Sequence, residues 1–100
     1  MSALLLGIDI GTSVIKSILF DAAGHEIAGA ARENVLLHPT PGVVEQNMTA
    51  VWQAAAETAA EAVASMQGAA DEIVAIGVTG QGDGTWLVDA VAEKRGDEWR

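Results

Sequence analysis

Three stretches at the start of the chain carry the apolar residues that favour strands. Residues 4–10 and 14–21 are runs of Leu, Ile, Val and Phe, and residues 25–34 begin with alternating polar and apolar positions. Branched side chains in runs of this length are typical of β-strands. The turn before the third stretch ends at Gly24, where a positive φ is expected. Because consecutive strands joined by short turns pair with each other, we expect an antiparallel three-stranded meander.

A helical period replaces the strand pattern after a loop that contains two prolines. Between Met48 and Gln67, apolar residues recur every three or four positions, at Val51, Ala55, Ala59, Ala62 and Met66. This stripe predicts one long helix packed against a sheet. We expect Trp52 and Val63 to widen the buried stripe. Asn47 suits the N-cap and Gly68 the C′ position.

A second strand pattern follows the helix. The apolar run from Glu72 to Thr79 predicts a fully buried strand, and its position after a helix predicts that it lies parallel to the first strand. A glycine-rich loop, Gly80–Gly84, comes next. Thr85–Asp89 predicts a further strand, with Trp86 in the core. The order of elements predicts an α/β fold.

Composition limits the classes of partner. The chain has 100 residues, half of them hydrophobic, with a formal net charge of -9 and no cysteine. An acidic surface repels nucleic acid and anionic membranes, so neither is an expected partner. Without cysteine there is no disulfide and no zinc-thiolate site. No signal peptide is recognised and no apolar run reaches the ~20 residues of a membrane span, so we expect a soluble, cytoplasmic protein.

The first turn of the predicted meander carries candidate chemistry. Asp9 places a charge in an apolar strand, which is costly unless the charge has a partner or a function. The segment from Gly11 to Ser13 offers backbone N–H groups and two hydroxyls, a suitable surface for phosphate oxygens. Lys16 follows as a nearby cation. The alternatives are a tight hairpin in which Asp9 caps backbone amides, and a solvated lysine at a strand edge.

The glycine-rich loop is the second candidate. Gln81 can donate or accept hydrogen bonds, and Asp83, between two glycines, can accept them from substrate hydroxyls. A flexible turn with a surface carboxylate is the alternative. The glycine spacing does not fit a dinucleotide-binding motif, because a strand and not a helix is predicted to follow.

Three motifs, taken in order, resemble one family. Residues 7–16 (GIDIGTSVIK), 41–46 (PGVVEQ) and 76–81 (IGVTGQ) are similar to segments of the FGGY carbohydrate kinases. These kinases share a ribonuclease H-like (actin-like ATPase) fold with actin and the heat-shock chaperones, which have only the first motif. The run from Gly80 to Asp89 looks most like the erythritol and L-xylulose kinase branch. Val43 stands where the family usually has tryptophan.

The resemblance implies a role for each motif. The chain would be part of a carbohydrate kinase that transfers the γ-phosphate of ATP to a small sugar or polyol. Asp9 would be a catalytic residue near Mg²⁺, in contact with the ion directly or through water. The nucleotide phosphates would be bound by Gly11, Thr12, Ser13, Val14 and Lys16. The substrate would be bound by Gln81, Gly82 and Asp83.

Part of the implied site has no counterpart in these residues. The family's general base is a downstream aspartate, and its adenosine pocket belongs to a second domain. Residues 1–100 are therefore expected to be the N-terminal portion of the first domain, with a three-stranded meander, a helix and a parallel strand, and to be inactive alone. An ATP-binding module of the actin or chaperone type and a non-catalytic remnant remain alternatives. A homo-oligomer of the longer protein also stays open.

Overall fold

The computed structural model describes residues 3–81 and the backbone of residues 94–95 and 98–99. The predicted strand Thr85–Asp89, the predicted core residue Trp86, and the candidate site residues Gly82 and Asp83 lie outside the described residues. The elements in chain order are β1 (Leu4–Ile10), β2 (Val14–Asp21), β3 (Glu26–Glu33), α1 (Met48–Ala64), α2 (Ala69–Glu72), β4 (Ile73–Thr79), β5 (Lys94–Arg95) and β6 (Glu98–Trp99).

Four strands form one mixed sheet in the order β3-β2-β1-β4. The pairs β1–β2 and β2–β3 are antiparallel, and β4 runs parallel to β1. The predicted meander and parallel strand are therefore confirmed. We call residues 11–13, between β1 and β2, the first turn, and residues 22–25, between β2 and β3, the second turn. The two short strands β5 and β6 pair antiparallel with each other.

The core lies between the sheet and α1. Leu4, Leu6 and Leu19 of the sheet are buried against Ala62 of α1 and Ala69 of α2. These alternate strand positions face the helix because side chains on a strand alternate between its two faces. The small alanines of α1 let the helix approach the sheet closely.

A buried hydroxyl pair joins α1 to the centre of the sheet. The Oγ atom of Ser17 lies 2.8 Å from Oγ1 of Thr58, and both residues are fully buried. Thr58 also donates to the carbonyl of Ala54 at 2.8 Å. Sequence analysis did not predict this pair, because a single threonine in an alanine-rich helix gives no signal of its partner 41 residues away.

The ends of α1 agree in part with the predictions. Asn47 is the N-cap, and its side chain accepts a hydrogen bond from the amide of Ala50 at 3.1 Å. The helix ends at Ala64 and not at Gln67, and Ser65 is the C-cap. Gly68 has the expected positive φ of 79° but serves as the N-cap of the short helix α2.

The prediction that β4 is fully buried is wrong. Val74, Ile76 and Val78 are 61–68% exposed. Helix α1 packs mainly over β2 and β3, so within residues 3–81 no element covers the helix-side face of β4. An apolar run shows that a strand can be buried, but burial needs a neighbour on each face.

The prediction that Trp52 widens the buried stripe is also wrong, since this side chain is 73% exposed. Trp52 and Glu61 are nine residues apart, which places them on opposite sides of the helix. Glu61 contacts Arg32 of β3 at 2.8 Å. Trp52 therefore lies on the side of α1 opposite the contact between Glu61 and β3.

Candidate phosphate-binding site

The first turn is closed by a short contact at Gly11. The amide of Gly11 donates to the carbonyl of Val14 at 3.0 Å. A Cβ atom on Gly11 would lie 2.8 Å from the same carbonyl oxygen, too close for a side chain. Glycine is required here because the two backbone segments approach each other closely.

Backbone amides in this turn are available to a ligand. Thr12 and Ser13 are exposed. Within residues 3–81, no hydrogen-bond acceptor is found for the N–H groups of these two residues. Free amides and two hydroxyls on a tight turn are the groups that bind phosphate oxygens.

Asp9 and Lys16 lie directly opposite each other on β1 and β2. Both belong to the face of the sheet away from α1, since they alternate with the core residues of their strands. Asp9 is half-buried and Lys16 is exposed. Among the described residues, neither side chain takes part in a hydrogen bond or an ion pair. The alternative in which Asp9 caps the amides of the turn is therefore not what the structure shows.

The arginine within residues 3–81, Arg32, is engaged elsewhere. Its guanidinium group contacts the carboxylate of Glu61 at 2.8 Å and that of Glu57 at 3.9 Å. The hydrogen bond to Glu61 raises the pKa of Arg32 and lowers the pKa of Glu61. Lys16 is therefore the cation within residues 3–81 that has no carboxylate partner and could attract an anionic ligand.

A shallow cavity of about 380 Å³ opens beside Asp9 and Lys16. Its floor includes Gly7 and Gly77, which pair with each other on β1 and β4. Its wall includes Phe20, whose ring would lie 3.2 Å from a Cβ atom on Gly7. A Cβ atom added to Gly77 would meet no other atom within 4 Å, so the cavity is open to a ligand on that side of the carboxylate.

The start of the glycine-rich loop lies at the same edge of the sheet as the first turn. Thr79 pairs with Asp9. A Cβ atom on Gly80 would lie 3.6 Å from the carbonyl oxygen of Ile10. Gln81 is half-buried and lines a second cavity of about 340 Å³. The structure thus brings Gln81 next to the end of β1, at the carboxyl edge where parallel strands commonly bind ligands.

One residue that sequence analysis missed holds the first turn in place. The backbone amide of Asn34 donates to the carbonyl of Ser13 at 2.9 Å. Its side-chain Nδ2 donates to the carbonyl of Gly11 at 2.7 Å and lies 3.4 Å from Oε1 of Gln46, which is buried. A polar residue after a strand is common, and the contact joins residues 23 positions apart, so no local pattern could have revealed it.

Beside the first turn, the described residues offer one carboxylate, that of Asp9, for a divalent cation. No group of three or more His, Cys, Asp or Glu side chains that could hold a metal ion occurs in the described part of the chain. Mg²⁺ bound to ATP takes most of its ligands from phosphate and water and often only one or two carboxylates from the protein. A single half-buried Asp9 beside an open phosphate turn fits that requirement.

A family model matches residues 4–95 of the chain. It is described as the N-terminal domain of the FGGY family of carbohydrate kinases. The chain belongs to this family. The match includes all three motifs and the whole four-stranded sheet. The membership confirms the resemblance and the ribonuclease H-like fold class, and it separates the chain from actin and the chaperones.

Individual relatives agree with this assignment. The chain is 42% identical over 96 residues to an erythritol kinase of Brucella abortus. The aligned region covers 96% of the chain and 18% of that protein. It is 39% identical over 90 residues to a glycerol kinase of Gloeobacter violaceus, covering 90% of the chain and 18% of the relative. A solved xyloylose kinase of Brucella ovis superposes with a TM-score of 0.73 and 31% identity, covering 78% of the chain and 16% of that protein.

These figures also show how much of the relatives the chain represents. It spans less than a fifth of the length of each of them.

The described helices include none with the length and apolar character needed to cross a membrane.

Proposed function

We propose that the protein containing this chain is an ATP-dependent kinase that phosphorylates a hydroxyl group of a small sugar or polyol. The observation that carries the proposal is the first turn, whose Thr12 and Ser13 amides, together with the side chains of Asp9 and Lys16, have no partner within residues 3–81. Membership of a family of carbohydrate kinases supports the same reaction. The motif in the run from Gly80 to Asp89 favours a polyol or ketose of the erythritol and xylulose type.

The residues divide the work between the two substrates. In this proposal the amides of the first turn, the hydroxyls of Thr12 and Ser13, and Lys16 bind the phosphates of ATP. Asp9 would hold Mg²⁺, directly or through water, and the ion would neutralise charge that develops on the phosphate oxygens. Positioning and charge stabilisation are the main protein contributions to phosphoryl transfer.

The substrate contacts are proposed from the glycine-rich loop. Gln81, Gly82 and Asp83 would bind the hydroxyl groups of the sugar or polyol. The oxygen of the reacting hydroxyl would form the new bond to the γ-phosphorus as the bond to ADP breaks, and its proton would pass to a general base. The family resemblance assigns that base to an aspartate outside these residues, so the 100-residue chain alone is proposed to be inactive.

A panel assay tests the reaction. The full-length protein is incubated with ATP, Mg²⁺ and individual polyols and ketoses, and ADP release is measured. Substrate-dependent ADP release by the full-length protein, with none by the 100-residue chain, is the expected result. ADP release that no polyol or ketose stimulates would contradict the proposal.

One substitution tests whether the glycine-rich loop binds the sugar or polyol. Asp83→Ala should raise the KM of the sugar or polyol about ten- to a hundredfold, since losing a hydrogen bond to a charged group costs about 1.5–3 kcal/mol. The KM of ATP should change little, because the first turn is a separate element. Equal changes in the two constants, or no change in either, would remove Asp83 from the proposed site.

A further inference from the structure

Two hydrogen bonds from one residue hold the two ends of the first turn. The side-chain Nδ2 of Asn34 donates to the carbonyl of Gly11 at 2.7 Å, and its backbone N–H donates to the carbonyl of Ser13 at 2.9 Å. Both carbonyl oxygens therefore point towards the same residue. No other described residue contacts both ends of this turn by hydrogen bonds.

The planarity of the peptide bond converts these contacts into a direction for the amides. In a trans peptide the C=O of one residue and the N–H of the next point in opposite directions. No cis peptide is present in the described residues. When Asn34 holds the oxygens of Gly11 and Ser13, the N–H groups of Thr12 and Val14 point away from Asn34. The two hydrogen bonds from Asn34 thereby fix the direction in which these amides face a ligand.

The side chain of Asn34 is itself supported by a buried amide. Oε1 of Gln46 lies 3.4 Å from Nδ2 of Asn34, which keeps the donor side of the Asn34 amide turned towards both oxygens. Gln46 is 8% exposed. Next to it, Leu37 and Glu45 exchange two backbone hydrogen bonds at 2.7 and 2.8 Å, which closes the base of the loop that leads to Gln46.

Gln46 also reaches the second candidate element. It lines the 340 Å³ cavity together with Gln81, at the start of the glycine-rich loop. The pair of Asn34 and Gln46 therefore lies between the first turn, which is proposed to bind phosphate, and the loop that is proposed to bind substrate.

We propose that Asn34, oriented by Gln46, is a positioning residue that sets the direction of the Thr12 and Val14 amides for the phosphates of ATP. Asn34 touches neither the nucleotide nor the reacting atoms and acts through the carbonyls of Gly11 and Ser13. This inference rests on the proposed kinase function. It adds a residue outside the three motifs to the determinants of nucleotide affinity.

The test uses the full-length protein and two variants that each remove a hydrogen-bonding side chain. Asn34→Ala removes the contact with Gly11. The matched control, Thr58→Val, removes the buried contact with Ser17 and leaves the turn untouched. Asn34→Ala should raise the KM of ATP about five- to tenfold, with the KM of the sugar or polyol within about twofold of wild type. Thr58→Val should lower the melting temperature and leave both KM values unchanged.

A second measurement is independent of activity. Amide hydrogen exchange is followed in the nucleotide-free protein, peptide by peptide. Asn34→Ala should accelerate exchange in residues 11–14, whereas Thr58→Val should accelerate it in α1. If the wild-type protein shows no kinase activity, the proposed function fails, and the exchange result alone decides whether Asn34 holds the turn.

Two results would overturn the inference. One is the same KM of ATP in Asn34→Ala and Thr58→Val. Any change in the KM would then not be specific to the loss of the contact between Asn34 and Gly11. The other is unchanged exchange in residues 11–14 when Asn34 is replaced.

Discussion

The two turns of the meander both have an aspartate nearby, but they use it in opposite ways. In the second turn the carboxylate of Asp21 accepts hydrogen bonds from the amides of Ala23 and His25, each at 2.9 Å, and from the ring of His25 at 3.0 Å. The amide of Gly24 is satisfied by the carbonyl of Asp21 at 3.0 Å. This turn meets its own hydrogen-bonding needs within a single short segment of the chain.

The first turn does not satisfy its own hydrogen-bonding groups, and a residue outside the turn donates hydrogen bonds to it. Within residues 3–81, the side chain of Asp9 accepts no hydrogen bond, and the amides of Thr12 and Ser13 have no acceptor. Asn34, the residue after β3, donates hydrogen bonds to the carbonyls of Gly11 and Ser13 in the first turn. An aspartate near a turn is therefore not a functional signal by itself. The difference lies in whether the turn's amides are consumed locally or remain available to a ligand.

Replacing the glycine of each turn should separate their roles with the largest effect. Gly11→Ala forces a Cβ atom to within 2.8 Å of the carbonyl of Val14. Relieving such an overlap costs about 1–3 kcal/mol, so ATP affinity should fall by up to about a hundredfold. Gly24 has a φ of 90°, and a Cβ atom added there would meet no other atom within 4 Å. Gly24→Ala should therefore cost about 1–2 kcal/mol of stability and leave ATP affinity unchanged.

Calorimetric titration with ATP and thermal unfolding of the two variants measure these effects. Similar ATP affinities for Gly11→Ala and Gly24→Ala would break the distinction between the turns.

Neutralising each aspartate should give the next largest effect. In the full-length protein, Asp9→Asn should lower kcat at least about tenfold with little change in melting temperature, because within residues 3–81 the Asp9 side chain makes no hydrogen bond or ion pair and is proposed to hold Mg²⁺. Asp21→Asn should lower the melting temperature and leave kcat nearly unchanged, since it weakens the contacts of the second turn. Initial rates and melting temperatures on both variants check this, and a normal kcat for Asp9→Asn would make Asp9 a structural residue.

The smallest effect concerns pH. The amide hydrogen bond from His25 is the main cause that lowers the pKa of Asp21 below its usual value of 3.8. A lowered folded-state pKa adds stability above the unfolded value, and that stability is lost as the pH falls through the folded value. The difference in melting temperature between wild type and Asp21→Asn should therefore be constant at neutral pH, shrink as the pH falls below about 4, and disappear once the pH is below the folded-state pKa of Asp21. A difference that persisted in stronger acid would show that the charge of Asp21 does not stabilise the turn.

The sequence predicted those parts of the fold that depend on local patterns. The strand runs, the turn glycine at position 24 and the N-cap at Asn47 act within a few residues, and the order of elements limits how strands can pair. Burial could not be predicted in the same way. Val78 and Trp52 are exposed because α1 covers only part of the sheet, and the sequence of a helix does not state which strands it will cover.

The candidate site shows the same division. The first motif predicted the turn, with Asp9 before it and Lys16 nearby, and the structure adds that the two residues lie opposite each other on β1 and β2. Asn34 was missed because it reaches the turn through the pairing of β2 and β3, across 23 residues. Gly82 and Asp83 remain predictions of the sequence, outside the described residues.

Amide-resolved hydrogen exchange on the full-length protein, with and without ATP and Mg²⁺, tests the central claim most directly. The claim is that the first turn has free amides because it binds phosphate, whereas the second turn does not. ATP should slow exchange of the Thr12 and Ser13 amides and leave those of Ala23 and His25 unchanged. Saturating ATP that protects neither Thr12 nor Ser13 would contradict the account.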